Sequence, residues 1–285
     1  MSFIAASGDT GPRVDKRRNG GLLRTRVISA LVLAPVALAA VHFGTPYFDF
    51  LVACVVIVMA WEWRRLCAGG RFDFSGYGFA AIVGAATALS SFGYFLVASA
   101  VVCAGALAVY AAGAIREHRP ALWTGVGVFA VGIAGVALIA VRAQPEGSWL
   151  TFWLLATVWA TDIAAYFTGR AIGGPKLAPS LSPGKTWAGL IGGVLAAGGW
   201  SVCWALWTDV SQPGTLAVLG MGTAVLAQLG DLGVSAVKRR FGAKDASNLI
   251  PGHGGLLDRA DGFIGAAPFV ALSIALAKGD MSLWA

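Results

Sequence analysis

Asp231, Ser235 and Lys238 stand at i, i+4 and i+7, a spacing that puts a carboxylate, a hydroxyl and an ammonium on one face of a helix. Lys244 and Asp245 follow after a short break. Next comes Pro251-Gly252-His253-Gly254-Gly255, which cannot continue a helix and is rich in residues free to adopt positive φ. Asp258 and Asp261 then recur at i, i+3 with Arg259 between them. Two carboxylates one turn apart can share a divalent cation, and lysines and arginines answer phosphate charge.

Eight side chains between Lys238 and Asp261 are charged: Lys238, Arg239, Arg240, Lys244, Asp245, Asp258, Arg259 and Asp261. Long apolar runs flank the segment on both sides. At roughly 3 kcal/mol per central charge, placing all eight in hydrocarbon would cost on the order of 20 kcal/mol. The segment is therefore expected in water or along a polar cavity.

A second region with chemistry runs from Thr161 to Gly193. Asp162 falls inside an apolar run, Trp159-Ala160-Thr161-Asp162-Ile163-Ala164-Ala165-Tyr166, and an intramembrane carboxylate is costly enough to be a functional candidate. A structural hydrogen-bonding role in the bundle is the alternative. Beyond Gly173-Gly174-Pro175-Lys176 lies Leu181-Ser182-Pro183-Gly184-Lys185-Thr186-Trp187. Gly184-Lys185-Thr186 matches the end of a Walker A loop. However, the glycine required five residues earlier is Pro179, and no strand is expected before it, so a phosphate loop of that kind is rejected. Ser182, Lys185 and Thr186 opening the next helix still offer hydroxyls, an ammonium and a helix N-terminus to phosphate. An ordinary helix start with a topogenic lysine accounts for the same residues.

The run Ser235-x-Val237-Lys238-Arg239-x4-Lys244-Asp245-x-Ser247-x2-Ile250-Pro251-x-His253-Gly254-Gly255-Leu256-x-Asp258-Arg259-x-Asp261 resembles the signature of the phosphatidate cytidylyltransferases, the CDP-diacylglycerol synthases. Ala260 stands where that family usually has a larger apolar residue or Thr, and Val234 where it often has Glu. The loop at Ser182 is similar to a family element, roughly Ser-Pro-Lys-Lys-Thr-x-Glu-Gly, with Gly184 in place of the first Lys and Ala188 in place of the Glu. The likeness spans roughly residues 160 to 265.

The resemblance implies a nucleotidyltransferase of phospholipid biosynthesis: CTP and phosphatidic acid give CDP-diacylglycerol and pyrophosphate. It implies Mg2+, with a second cation as an additional expectation, held by Asp231, Asp258 and Asp261, and Asp162 nearby as a further ligand. Lys238 joins the three aspartates as the catalytic group. Substrate contacts are expected from Ser182, Lys185, Ser235, Arg239, Lys244, His253 and Arg259, and from Gly254 and Gly255, whose bare backbone would approach a phosphate closely. The implied partners are CTP, phosphatidic acid and membrane lipids; a second copy of the chain is carried as a further partner and nucleic acid is not.

These groups need elements to hold them. The 285-residue chain is 57% hydrophobic and 12% charged, which places it among polytopic membrane proteins. Apolar segments long enough for a bilayer core of ~30 Å occur at 27–43, 47–63, 77–94, 95–115, 121–141, 149–168, 187–208, 214–234 and 262–278. The expected fold is an all-α bundle of about nine transmembrane helices. It divides into a basic tail at 1–26, N-terminal helices over 27–148 and C-terminal helices with the catalytic loops over 149–285. With the N-terminus cytoplasmic, every one of the 21 basic residues except Arg142 and Lys278 lies on the cytoplasmic side. The charged loops then face the cytoplasm, in a bacterial inner membrane.

The first half carries little chemistry. Glu62, in Ala60-Trp61-Glu62-Trp63-Arg64, is read as a snorkelling or ion-paired interfacial anchor. Gly125, Gly127, Gly132 and Gly135 read as close helix packing. Four scattered cysteines and three scattered histidines indicate neither a zinc site nor a disulfide framework. A transporter with Asp162 and Asp231 as an intramembrane carboxylate ion site is the competing class, although it does not need the dense charged loop. The pattern of the CDP-alcohol phosphotransferases, D-G-x2-A-R with two further spaced aspartates, is absent.

Overall fold

A computed structural model describes residues 31–115, 120–209, 212–252 and 254–277. The basic tail, the start of the first span, Arg116, Arg119, His253 and Lys278 lie outside the described residues. Among the described residues there are nine helices: α1 (Leu31–Phe43), then α2 (Tyr47–Cys67), α3 (Phe74–Ser91), α4 (Phe95–Ile115), α5 (Ala121–Arg142), α6 (Gly147–Ile172), α7 (Trp187–Trp207), α8 (Pro213–Arg240) and α9 (Leu257–Leu276). Six of them, α4 to α9, are long and apolar enough to cross a membrane. The surface they present is apolar, with Leu96, Leu107, Ile163, Leu195 and Leu206 exposed, the reverse of a soluble surface. This is an all-α polytopic membrane protein.

The boundary between the apolar runs 77–94 and 95–115 has a physical cause. Gly93 adopts φ +82; its N–H reaches the Ser90 carbonyl (2.9 Å) and the Tyr94 N–H reaches the Leu89 carbonyl (3.0 Å). That is a Schellman ending, which needs a left-handed residue.

One addition to the all-α expectation sits between α6 and α7. There β1 (Lys176–Ala178) and β2 (Ser182–Thr186) form an antiparallel hairpin, with Lys176 opposite Thr186 and Ala178 opposite Ser182. Pro175, Pro179, Pro183 and the neighbouring glycines bar a helix here, so the backbone pairs with itself. A strand therefore does precede Gly184, contrary to the expectation, but Gly184-Lys185-Thr186 lies within β2 and does not form a loop around phosphate.

The helices alternate in direction, and α5 is the most enclosed of the six long apolar ones, with about two-thirds of its apolar stretch buried, while α4 is the least. Its glycines explain why. A Cβ on Gly132 would sit 2.8 Å from the Val102 methyls, and one on Gly135 2.8 Å from Val56, so α4 and α2 approach closer than side chains would allow. One end of the bundle gathers the C-termini of α2, α6 and α8 and the N-termini of α3, α5, α7 and α9. Arg64 Nε donates to Asp73 Oδ1 (2.8 Å) and Nη1 to Thr124 Oγ1 (3.2 Å), and Trp123 stacks edge-on against Phe241. At the opposite end Arg142 Nε donates to the Val41 carbonyl (2.8 Å).

Candidate functional site

All the charged candidates described collect at the first of these ends, where α6, the hairpin, α8 and α9 meet. The α8–α9 seam is set by glycine: a Cβ on Gly230 would lie 2.6 Å from the Asp261 carbonyl and 2.9 Å from Gly265 N. With no side chain between them, the two backbones bring Asp231, one residue past Gly230, against the turn of α9 that carries Asp261. Asp231 exerts its charge on both Asp162 and Asp261, and Asp162 on Asp261. Three helices thus converge three carboxylates.

Cations answer them. Lys185 Nζ, near the end of β2, stands 2.6 Å from Asp231 Oδ2, a charge-assisted contact that uses one of its three N–H groups. Lys185 and Arg259 both act on Asp162, and Lys238 on Asp261. Gln228 Nε2 donates to Asp162 Oδ1 (3.2 Å) and Ser235 Oγ to Asp231 Oδ1 (3.3 Å). The face predicted for Asp231 and Ser235 is present on α8. Beside the carboxylates opens a cavity of about 530 Å3 whose walls include Asp162, Tyr166, Ser182, Lys185, Thr186 and Gln228.

Several side chains have other tasks than the sequence suggested. Asp258 has both oxygens engaged: Oδ1 accepts from Lys238 Nζ (2.7 Å), and Oδ2 from the backbone N–H groups of Ala246 (2.8 Å) and Gly255 (2.9 Å). The pair is buried, with side chains 10% and 5% exposed. Its carboxylate holds the loop to α8, and these two charges meet in a buried pair where the sequence predicts water or a polar cavity for the segment. Gly254 has φ +86, and a Cβ on it would lie 3.0 Å from Asp258 Oδ2. One on Gly255 would lie 2.7 Å from Glu62 Oε1. Internal carboxylates therefore occupy the space a side chain would need at both positions.

The Thr186 hydroxyl accepts from Gly189 N (3.0 Å) and caps α7. Arg239 Nε donates to the Leu181 carbonyl (3.1 Å), tying the hairpin tip to α8, and Lys244 is exposed on the loop after α8. Glu62 is the largest departure. It is fully buried and reaches the charged loop instead of anchoring at a surface. Gln228 and the Glu62 contacts escaped the sequence reading. The one signal for Gln228 was a lone amide in an apolar run, three residues before Asp231.

The donors fit a hard divalent cation. Among the described residues no three of His, Cys, Asp and Glu form a ready cluster, but Mg2+ is typically bound by one or two carboxylates with substrate phosphates completing its shell. Asp162, Asp231 and Asp261 supply oxygen only, and the Lys185 ammonium stands beside them.

The pattern of the cytidylyltransferase family matches residues 24–277. The phosphatidate cytidylyltransferase of Brucella suis biovar 1 is 38% identical over 259 residues, covering 88% of this chain and 92% of the relative. That of Pseudomonas aeruginosa is 35% identical over 267 residues, covering 88% and 96%, and that of Haemophilus influenzae 32% identical over 279 residues, covering 87% and 97%.

Proposed function

The chain belongs to the cytidylyltransferase family, and from that premise we propose that it is a phosphatidate cytidylyltransferase, converting CTP and phosphatidic acid to CDP-diacylglycerol and pyrophosphate. A phosphate oxygen of phosphatidic acid attacks the α-phosphorus of CTP. A new P–O–P linkage forms, the bond from the α-phosphorus to its bridging oxygen breaks, and pyrophosphate leaves with the electron pair. The nucleophile is already anionic, so the protein needs to align and neutralise rather than to activate a nucleophile of its own. The observation that carries the reading is the convergence of Asp162, Asp231 and Asp261 with the Lys185 ammonium beside a cavity at the end of a membrane bundle.

Asp231 and Asp261, with Asp162 beside them, would hold Mg2+, and a second cation has the same carboxylates to draw on. Bound there, the ion supplies charge neutralisation to the triphosphate and to the departing pyrophosphate. Lys185 meets the phosphates with the N–H groups that Asp231 does not take, and Arg259 and Lys244 add positive charge from α9 and the loop. Ser182 lines the cavity as a hydroxyl donor, while Ser235 orients Asp231. His253 retains the donor role read from the sequence. Lys238 and Asp258 brace the floor of the site, and Arg239 holds the hairpin. The acyl chains remain in lipid.

Nine spans with a cytoplasmic N-terminus would put this end on the cytoplasmic side of a bacterial inner membrane, where CTP is available. Support comes from Arg64, Arg65, Lys185, Lys238 and Arg239 lying at one end and Arg142 at the other. Family membership favours the enzyme over the transporter. The test is pyrophosphate release by purified protein in detergent–lipid micelles, omitting CTP, phosphatidic acid or Mg2+ in turn. Turnover requiring all three is expected; turnover without phosphatidic acid, or none from folded protein, overturns the reading. The same preparation, weighed by light scattering, checks for the homodimer.

A further inference from the structure

Glu62 lies near the end of α2, in the half of the chain without catalytic loops, and is 0% exposed. Its two carboxylate oxygens receive three hydrogen bonds. Oε1 accepts from Ser247 Oγ (2.6 Å) and Leu256 N (2.9 Å), and Oε2 from Leu257 N (2.6 Å). The ion pairs of the described residues do not include it. What balances its charge is the start of α9, whose first residue is Leu257 and whose N-cap, Leu256, has no side chain able to cap it. A helix N-terminus has unpaired N–H groups and partial positive charge. Glu62 therefore caps α9 from another helix.

The same carboxylate grips the far side of the loop, because Ser247 Oγ donates to it while accepting from Leu249 N (3.0 Å). Gly255 lies directly under it. A Cβ there would fall 2.7 and 2.9 Å from the two carboxylate oxygens, which are pinned and cannot swing aside. The residue after Leu257 is Asp258, which holds Lys238, and Asp261 follows one turn later.

We infer that Glu62 is a positioning residue for the site: by clamping Ser247, Leu256 and Leu257 it sets the rotation and depth of the first turn of α9, and so the alignment of Asp261 with Asp231. The inference rests on the proposed reaction for its catalytic consequence and on geometry alone for the clamp. Glu62→Gln keeps the size but turns one acceptor into an N–H donor facing a backbone N–H, while Glu62→Asp keeps the charge and shortens the reach.

The experiment compares wild type, Glu62→Gln, Glu62→Asp and Gly255→Ala as purified full-length proteins in detergent–lipid micelles. Pyrophosphate release is read against CTP concentration, and hydrogen exchange in peptides covering 247–257 and α5. For Glu62→Gln, kcat falls about 100-fold, the effect of an ångström-scale misplacement, while KM for CTP changes less than about threefold, as expected when the loss is in the transition state. Exchange at Leu256 and Leu257 rises about tenfold or more while α5 is unchanged, an opening confined to one unit. Glu62→Asp recovers part of kcat. Gly255→Ala shows the same kcat loss, and the double variant Glu62→Gln/Gly255→Ala is no worse than the worse single, as coupled neighbours require.

Folded Glu62→Gln with near wild-type kcat, unchanged exchange at 256–257, or losses that multiply in the double variant each overturn the inference. If Glu62→Gln does not fold, Gly255→Ala decides by the same two readouts. Wild-type protein that releases no pyrophosphate overturns the proposed reaction and with it the catalytic consequence, and the exchange arm still decides the clamp.

Discussion

Lys185 Nζ and Asp231 Oδ2, 2.6 Å apart, join the hairpin before α7 to the last third of α8. Their side chains are 20% and 28% exposed, so the pair is partly solvated and contributes about 1 kcal/mol or less to stability. Its value lies in what the two groups meet. Asp231→Asn is expected to lower kcat by about 100- to 1,000-fold, the cost of losing one preorganised electrostatic group, and to raise the Mg2+ concentration needed. Lys185→Met is expected to weaken kcat/KM for CTP by about 10- to 100-fold, the loss of one charge-assisted contact. Thermal unfolding of both variants stays close to wild type, which unfolding curves in detergent check.

Asp258 gives the opposite balance. Removing it leaves the Lys238 ammonium buried without its partner and strands the N–H groups of Ala246 and Gly255. Breaking one half of a buried pair typically costs about 3–5 kcal/mol. Asp258→Ala should lose activity and melting temperature together, where Asp231→Asn loses activity alone.

Asp73 supplies a pH dependence outside the membrane spans. The Arg64 guanidinium hydrogen-bonded to it holds its carboxyl well below the usual carboxylate range, against a smaller opposing effect of burial. Because the folded value is depressed, the stabilisation is complete above the unfolded carboxylate pKa of about 4 and is lost as pH falls through the folded value. Asp73 also caps α3 through Gly76 N (3.2 Å), a contact worth about 0.5–2 kcal/mol. Asp73→Ala should lower the melting temperature at neutral pH and shrink the further loss seen on acidification below about pH 4. Melting curves from pH 3 to 8 check both.

Gly230→Ala tests the seam. Its Cβ would meet the backbone of α9 at Asp261 and Gly265, which cannot rotate away as a side chain can. Overpacking of this kind costs about 1–3 kcal/mol. Because the added methyl separates Asp231 from Asp261, kcat should fall by more than the stability loss explains, read from pyrophosphate release at a temperature where the variant is fully folded.

Much of this protein is legible locally. Each of the nine apolar runs corresponds to a helix among the described residues, six of them long and apolar enough to cross a membrane, because the helical hydrogen bond is summed over neighbours in sequence, and Gly93 marks a break by its own dihedral freedom. The spacing of Asp231, Ser235 and Lys238 likewise needs only the helical repeat. Which charge meets which was not local. That Asp258 clasps Lys238 could not be read from sequence; it depends on the loop turning the N–H groups of Ala246 and Gly255 onto the same carboxylate. Val234, where relatives of the signature often place Glu, is 2% exposed in the apolar core, so its side chain faces packing and not the carboxylates. Glu62 looked like an anchor because its partners stand 185 to 195 residues away. The sequence alone determined the helices and the inventory of charges. The pairing among them came from tertiary structure, because a Coulomb interaction depends on distance in space, and that distance is set by where glycine lets α8 lie against α9 and α2 lie under the charged loop.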